Sequence, residues 1–214
     1  MIHVIGLPRT GTSVIVKCLQ NSGYFIGKKK RLGGYKDTLL SEYKPFKNVC
    51  RFIIVNHLNW LFKHRQCFPA HVLTATEQLL LKKRYLQAKQ RGIEVLKLVI
   101  YLIPFIELYD RFADMIKNDV FIHTTRDRES NIQSLMAYRK LLGEEYGREN
   151  VEDTLSLYDD ILKSVLPKLN VVHIDIQDTW YNQKKVKKIL SDFLGRDIDV
   201  SILNAKEKTL YETN

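Results

Sequence analysis

Cysteine is scarce in this chain, and its scarcity excludes two classes of protein. The 214 residues include three cysteines, Cys18, Cys50 and Cys67, and no two of them form a Cys-x-x-Cys pair. An odd number without paired spacing argues against a disulfide framework. No set of residues has the ligand spacing of a structural zinc site. We therefore expect reduced thiols and no bound metal.

Long hydrophobic runs are also absent. The longest apolar stretch, residues 93–109, is interrupted by two glutamates, a lysine and a proline, and it is too short to span a bilayer. Residues 1–7 are apolar, but Pro8 and Arg9 follow too soon for the hydrophobic region of a signal peptide. We therefore expect a cytoplasmic protein without a membrane span.

Positive charge is what the chain has in excess. It carries 34 Lys and Arg against 24 Asp and Glu, a formal net charge of +10. Such a balance favours an anionic partner, which could be a nucleotide, a nucleic acid, a membrane surface or an acidic glycan. The lysines are scattered and no nucleic-acid-reading motif is present, so we do not expect a nucleic-acid partner.

Apolar periodicity predicts strands that alternate with helices along nearly the whole chain. Strands are expected over 1–5, 95–99, 119–125 and 170–175, and helices over 12–21, 74–91, 104–117, 128–142, 151–166 and 183–194. This order is typical of an α/β fold with a parallel sheet and helices on both faces. The length suits a single domain, 1–214. Residues 39–91 are helix-rich without a clear strand and are interpreted as a helical excursion, in which Thr74 and Glu77 form a capping box.

The segment Gly6 to Ser13 joins the first strand to the first helix. Its spacing matches the phosphate-binding pattern G-x-x-x-x-G-K-[ST], except that Thr12 replaces the lysine. A loop at this position aims backbone N–H groups and the positive end of the helix dipole at an anion. Loss of the lysine argues against a nucleoside-triphosphate kinase, and Arg9 offers another cation. The alternative is a strand-to-helix turn that binds no anion and has glycine only for the backbone conformation of the turn.

A second constellation begins where the third predicted strand ends. Arg126 closes that strand, and Ser134 lies eight residues later in the following helix. An arginine and a hydroxyl placed in this way could hold one phosphate together. The alternative is an arginine paired with Asp127 or Glu129, and a surface serine.

Together these constellations resemble the sulfotransferase superfamily, in particular its small bacterial and viral branch. Residues 8–13, Pro-Arg-Thr-Gly-Thr-Ser, resemble the family's 5′-phosphosulfate loop, P-[RK]-[ST]-G-[TS]-[ST]. Arg126 and Ser134 match its 3′-phosphate motif. Residues 172–175 followed by 193–195 are similar to its late strand and the Phe-Leu-Gly end of the next helix. Residues 95–97 resemble its Lys-Asp-Pro segment without the Asp-Pro, and residues 34–37 are faintly similar to its Gly-Tyr-x-Glu segment.

The resemblance implies a P-loop-like fold and a donor, 3′-phosphoadenosine-5′-phosphosulfate (PAPS), that leaves as 3′,5′-adenosine bisphosphate (PAP) without a metal. The residues implied for the 5′-phosphosulfate are Arg9, Thr10, Gly11, Thr12 and Ser13, and those for the 3′-phosphate are Arg126 and Ser134. The catalytic residues we infer are Arg9 and Lys97 as cations and Asp37 as the base that takes the acceptor's proton. Glu42 and His57 are the other candidate bases.

The sequence leaves the acceptor open. A carbohydrate or a small alcohol is the favoured acceptor, and the side chain of a peptide tyrosine remains open as a third. The rival hypotheses are a P-loop-type kinase of a small molecule and a degenerate sulfotransferase fold that only binds.

Overall fold

The structure is a computed structural model that describes residues 1–27, 44–66, 71–98, 116–141, 143 and 147–203. Two of the three candidate bases, Asp37 and Glu42, lie outside these ranges. So does most of the helix expected over residues 104–117. Among the described residues, no helix is long and apolar enough to cross a membrane.

Four described strands form one parallel sheet. The strands are β1 (Ile2–Gly6), β2 (Val95–Leu98), β3 (Val120–Thr125) and β4 (Val171–Asp175), in the spatial order β2-β1-β3-β4. Gly6 lies opposite Thr124, and Thr125 lies opposite Asp175. The α/β class and the parallel sheet predicted from the sequence are therefore confirmed. Because the strands are parallel, the loops that follow β1, β3 and β4 leave from the same edge of the sheet.

The described helices surround this sheet. They are α1 (Thr12–Asn21), α2 (Lys44–Asn56), α3 (Leu58–His64), α4 (Ala75–Gln90), α5 (Arg128–Leu141), α6 (Arg148–Val165), α7 (Ile176–Tyr181) and α8 (Gln183–Leu194). Short 3₁₀ turns follow at Leu166–Lys168 and Ser201–Leu203. The capping box is confirmed, since Thr74 Oγ1 accepts a hydrogen bond from Glu77 N and Glu77 Oε2 accepts one from Thr74 N.

Three features of the helices differ from the prediction. Within the helix-rich stretch 39–91, the turn at His57 separates α2 from α3. The helix expected from Val151 begins earlier, at Arg148. Helix α7 was not predicted, because Asp175 ends β4 and at the same time caps the next helix by accepting a hydrogen bond from Gln177 N at 2.7 Å.

Alternation of side chains along the strands divides the core into two layers. Ile2 and Val4 of β1 pack with buried residues of α1 and α8 on one face. Ile5 packs with Phe121 on the other face, together with buried residues of α2, α4 and α6. Helices therefore cover both faces, which leaves the carboxyl edge of the sheet as the place where loops converge.

Candidate functional site

The loop after β1 is tied to β3 by two threonines. Thr10 is 1% exposed, and its hydroxyl lies 2.8 Å from Leu7 O and 2.9 Å from the hydroxyl of Thr124. A Cβ on Gly6 would lie 2.5 Å from the hydroxyl oxygens of both threonines. Position 6 therefore requires glycine, because the two threonine hydroxyls leave no room for a Cβ atom. The side chain of Thr10 is turned into the protein, where it fixes the shape of the loop.

Gly11 shapes the start of α1. Its φ is +87°, and a Cβ there would lie 2.1 Å from Ile176 Cδ1 at the start of α7. In the described part of the chain, no side chain caps α1, and no acidic residue occupies its first turn. The first N–H groups of a helix carry partial positive charge. The N-terminus of α1 is therefore suited to an anion.

The two predicted phosphate motifs meet in the structure, although 125 residues separate them. Arg9 Nε donates to Ser134 Oγ at 3.3 Å. Arg126 Nη1 donates to the carbonyl oxygen of Arg9 at 3.3 Å. Arg9 itself has a φ of +70°, a conformation that is costly for a residue with a Cβ. Two guanidinium groups and a hydroxyl are thus brought to one side of the loop.

Lys97 approaches the other side of the loop. It is 7% exposed, and its Nζ donates to Ser13 Oγ at 2.8 Å. It reaches Ser13 because β2 pairs with β1 in the register that places Lys97 opposite Val4, on the face covered by α1. A lysine from the neighbouring strand thus contacts the residue that follows position 12, where the phosphate-binding pattern has its lysine.

Two residues of α5 that the sequence reasoning did not select belong to the same region. The ring of Tyr138 lies 5.0 Å from Arg9 Cζ, a cation–π contact. Asn131 is 1% exposed, and neither its Oδ1 nor its Nδ2 has a hydrogen-bond partner among the described residues. Asn131, Ser134 and Tyr138 are spaced so that they lie on one face of the helix. This spacing from Ser134 is the sequence feature from which Asn131 and Tyr138 could have been selected.

No protein-family model matches the chain, and no curated protein matches its sequence. The resemblance to the sulfotransferase superfamily therefore stays a prediction from the sequence, made chiefly on residues 8–13 and on Arg126 and Ser134.

The neighbouring acidic residues have structural partners of their own. Asp127 Oδ1 accepts a hydrogen bond from Ser130 N at 2.9 Å and so caps α5, and this and other hydrogen bonds lower the pKa of Asp127. Glu129 forms an ion pair with Arg148 on α6. The described residues contain no group of three or more metal-ligating side chains. The loop edge is thus a cationic site that can hold phosphate or sulfate oxygens.

Proposed function

We propose that this chain is a sulfotransferase that takes the sulfuryl group from PAPS and gives it to a hydroxyl or amine of an acceptor. The observation that carries the proposal is the contact between Arg9 and Ser134. It joins a loop typical of 5′-phosphosulfate binding to the residue expected to hold a 3′-phosphate. A donor that carries both groups on one ribose would require the two motifs to be neighbours.

Each residue at the edge has a chemical role in this proposal. Arg9, Lys97 and the first N–H groups of α1 stabilise negative charge on the oxygen that bridges sulfur and phosphorus as the S–O bond breaks. Ser13 would bind a phosphosulfate oxygen, and its contact with Lys97 keeps that cation in place. Arg126 and Ser134 would hold the 3′-phosphate by charge and by hydroxyl.

The reaction balances without a metal or a redox partner. The acceptor oxygen or nitrogen forms a bond to sulfur, the S–O bond to the 5′-phosphate breaks, and PAP leaves. The acceptor's proton passes to a base. Asp37, which the sequence favoured for this role, stays a prediction. The acceptor also stays at the level of the sequence prediction, with a carbohydrate or small alcohol favoured.

The test is a calorimetric titration of the purified protein with PAP, ATP and 5′-AMP. One charge-assisted hydrogen bond to the 3′-phosphate is worth about 1.5–3 kcal/mol, so PAP should bind roughly tenfold to 150-fold more tightly than 5′-AMP. ATP should bind more weakly than PAP, because it lacks the 3′-phosphate. Binding of ATP as tight as that of PAP, or tighter, would support the kinase hypothesis and overturn the proposal. Binding of none of the three would also overturn it and would favour a fold that no longer binds the donor.

A further inference from the structure

A tyrosine that belongs to neither phosphate motif lies against the phosphate loop. Tyr138 follows Ser134 on α5, and the centre of its ring is 5.0 Å from Arg9 Cζ. The ring is 37% exposed, so it lies at the surface of the site and not in the core. The face of an aromatic ring carries partial negative charge, which attracts a guanidinium group and repels phosphate or sulfate oxygens. The ring is therefore suited to Arg9 and not to the anionic groups of a donor.

Arg9 is held in three different parts of the residue. Its backbone has a φ of +70°, and Arg126 Nη1 donates to its carbonyl oxygen at 3.3 Å. Its Nε donates to Ser134 Oγ at 3.3 Å, and its guanidinium group lies over the ring of Tyr138. A residue with a Cβ that keeps a left-handed backbone at a candidate site indicates a functional position. The contacts from β3 and α5 thus fix both the backbone and the charged end of Arg9.

The choice of a neutral ring at this place matters for a site that binds anions. A carboxylate in place of the ring would also hold Arg9, but it would repel the phosphate and sulfate oxygens of the donor. The neighbouring guanidinium group of Arg126 repels that of Arg9, and the ring adds an attraction that opposes this repulsion. Tyr138 therefore holds the cation without neutralising its charge.

We propose that Tyr138 is a positioning residue of the sulfuryl transfer, which holds the guanidinium group of Arg9 in place before the donor binds. A cation fixed in advance stabilises the charge that grows on the bridging oxygen without first having to move. Tyr138 acts through Arg9 and does not touch the reacting atoms. This inference rests on the proposed function, because that function assigns Arg9 to the leaving group.

The expected effect follows from the strength of a contact between a cation and an aromatic ring. Because the ring of Tyr138 is partly exposed, the contact should have a strength between those of an exposed and of a desolvated pair. Loss of the ring should therefore lower the rate of sulfuryl transfer by roughly fivefold to thirtyfold.

The first experiment is a proton–nitrogen NMR spectrum of the arginine Nε–H groups in the whole protein. The ring current of Tyr138 should move the signal of Arg9 upfield, and Arg9→Lys identifies that signal by removing it. Tyr138→Phe should keep the upfield position and Tyr138→Leu should lose it. An Arg9 signal at the same position in wild type and Tyr138→Leu overturns the proposal. Addition of PAP should shift the Arg9 signal, and failure of PAP to bind overturns the proposed function itself.

The second experiment measures single-turnover release of sulfate from saturating PAPS, with water as the acceptor. Tyr138→Leu should lose roughly fivefold to thirtyfold in rate, whereas Tyr138→Phe, which keeps the ring, should stay within about twofold of wild type. Tyr24→Leu is the matched control and should keep the wild-type rate. Tyr24 lies under Arg196, with its ring centre 4.8 Å from Cζ, beyond the C-terminal end of α1 and so away from the loop.

The outcomes separate the role of Tyr138 from the proposed function. An unchanged rate in Tyr138→Leu, or an equal loss in Tyr138→Phe, would overturn the positioning role and leave the sulfotransferase proposal standing. Absence of sulfate release in the wild type would overturn the proposed function, and the role of Tyr138 with it.

Discussion

Substitution of Gly11 by alanine tests whether the loop edge has the geometry described. A Cβ at φ +87° costs about 1–2 kcal/mol. The same Cβ would lie 2.1 Å from Ile176 Cδ1, and Ile176 is 3% exposed, so overpacking adds about 1–3 kcal/mol. Gly11→Ala should therefore lower the free energy of unfolding by roughly 2–5 kcal/mol, summed from these two costs.

Ile176→Val removes most of the steric cost, because valine lacks the Cδ1 atom that would lie 2.1 Å from the new Cβ and keeps only the Cγ1 position, 2.9 Å from it. Alone it should cost about 0.5–1.5 kcal/mol. The double variant should be roughly 1–2 kcal/mol more stable than the sum of the single variants predicts. Urea unfolding followed by circular dichroism measures all four proteins. A Gly11→Ala protein as stable as the wild type, or a double variant with no coupling, would refute the placement of Gly11 against α7.

The other predictions concern charge and protonation. Lys97→Met should weaken PAPS binding by roughly tenfold to 150-fold, because it removes one charge-assisted hydrogen bond. A competition titration against PAP measures this affinity, and an unchanged value would exclude Lys97 from the donor site. Burial and the charge of His173 lower the pKa of His123 from 6.5 to about 4, so the unfolded chain takes up a proton before the folded one does. The free energy of unfolding should fall by up to roughly 3 kcal/mol between pH 6.5 and 4 and level off below. His123→Gln should show a shallower fall in urea titrations at each pH, and an unaltered pH profile would contradict the assignment.

Much of the architecture could be predicted from local sequence pattern. The parallel strands, the capping box of α4 and the loop before α1 depend on residues that are close together in the chain. Helix α7 could not be separated from β4, because Asp175 serves both and no turn residue marks the boundary. The order of the strands is a property of packing between distant segments, and the alternating pattern does not encode it.

The motifs of the candidate site could be predicted from the sequence, whereas the contacts between the motifs could not. The spacing of Arg126 and Ser134 was visible in the sequence, whereas the hydrogen bond from Arg9 to Ser134 depends on β3 lying beside β1. The approach of Lys97 to Ser13 likewise depends on the register of β2. The contact of His57 Nε2 with the carboxylate of Glu77, at 3.0 Å from Oε2, joins the turn after α2 to α4. The sequence could therefore show the capping box without showing this second partner of its glutamate.

The central claim is that Arg126 and Ser134 hold a 3′-phosphate, and a calorimetric comparison of two ligands on two variants tests it most directly. Arg126→Ala should weaken PAP binding by roughly tenfold to 150-fold while its affinity for 5′-AMP, which lacks the 3′-phosphate, stays within about twofold. Arg128→Ala is the matched control, since Arg128 is exposed and donates to Glu152 O on α6; it should bind both ligands as the wild type does. An equal loss of both ligands in Arg126→Ala, or no loss of PAP, would contradict the account.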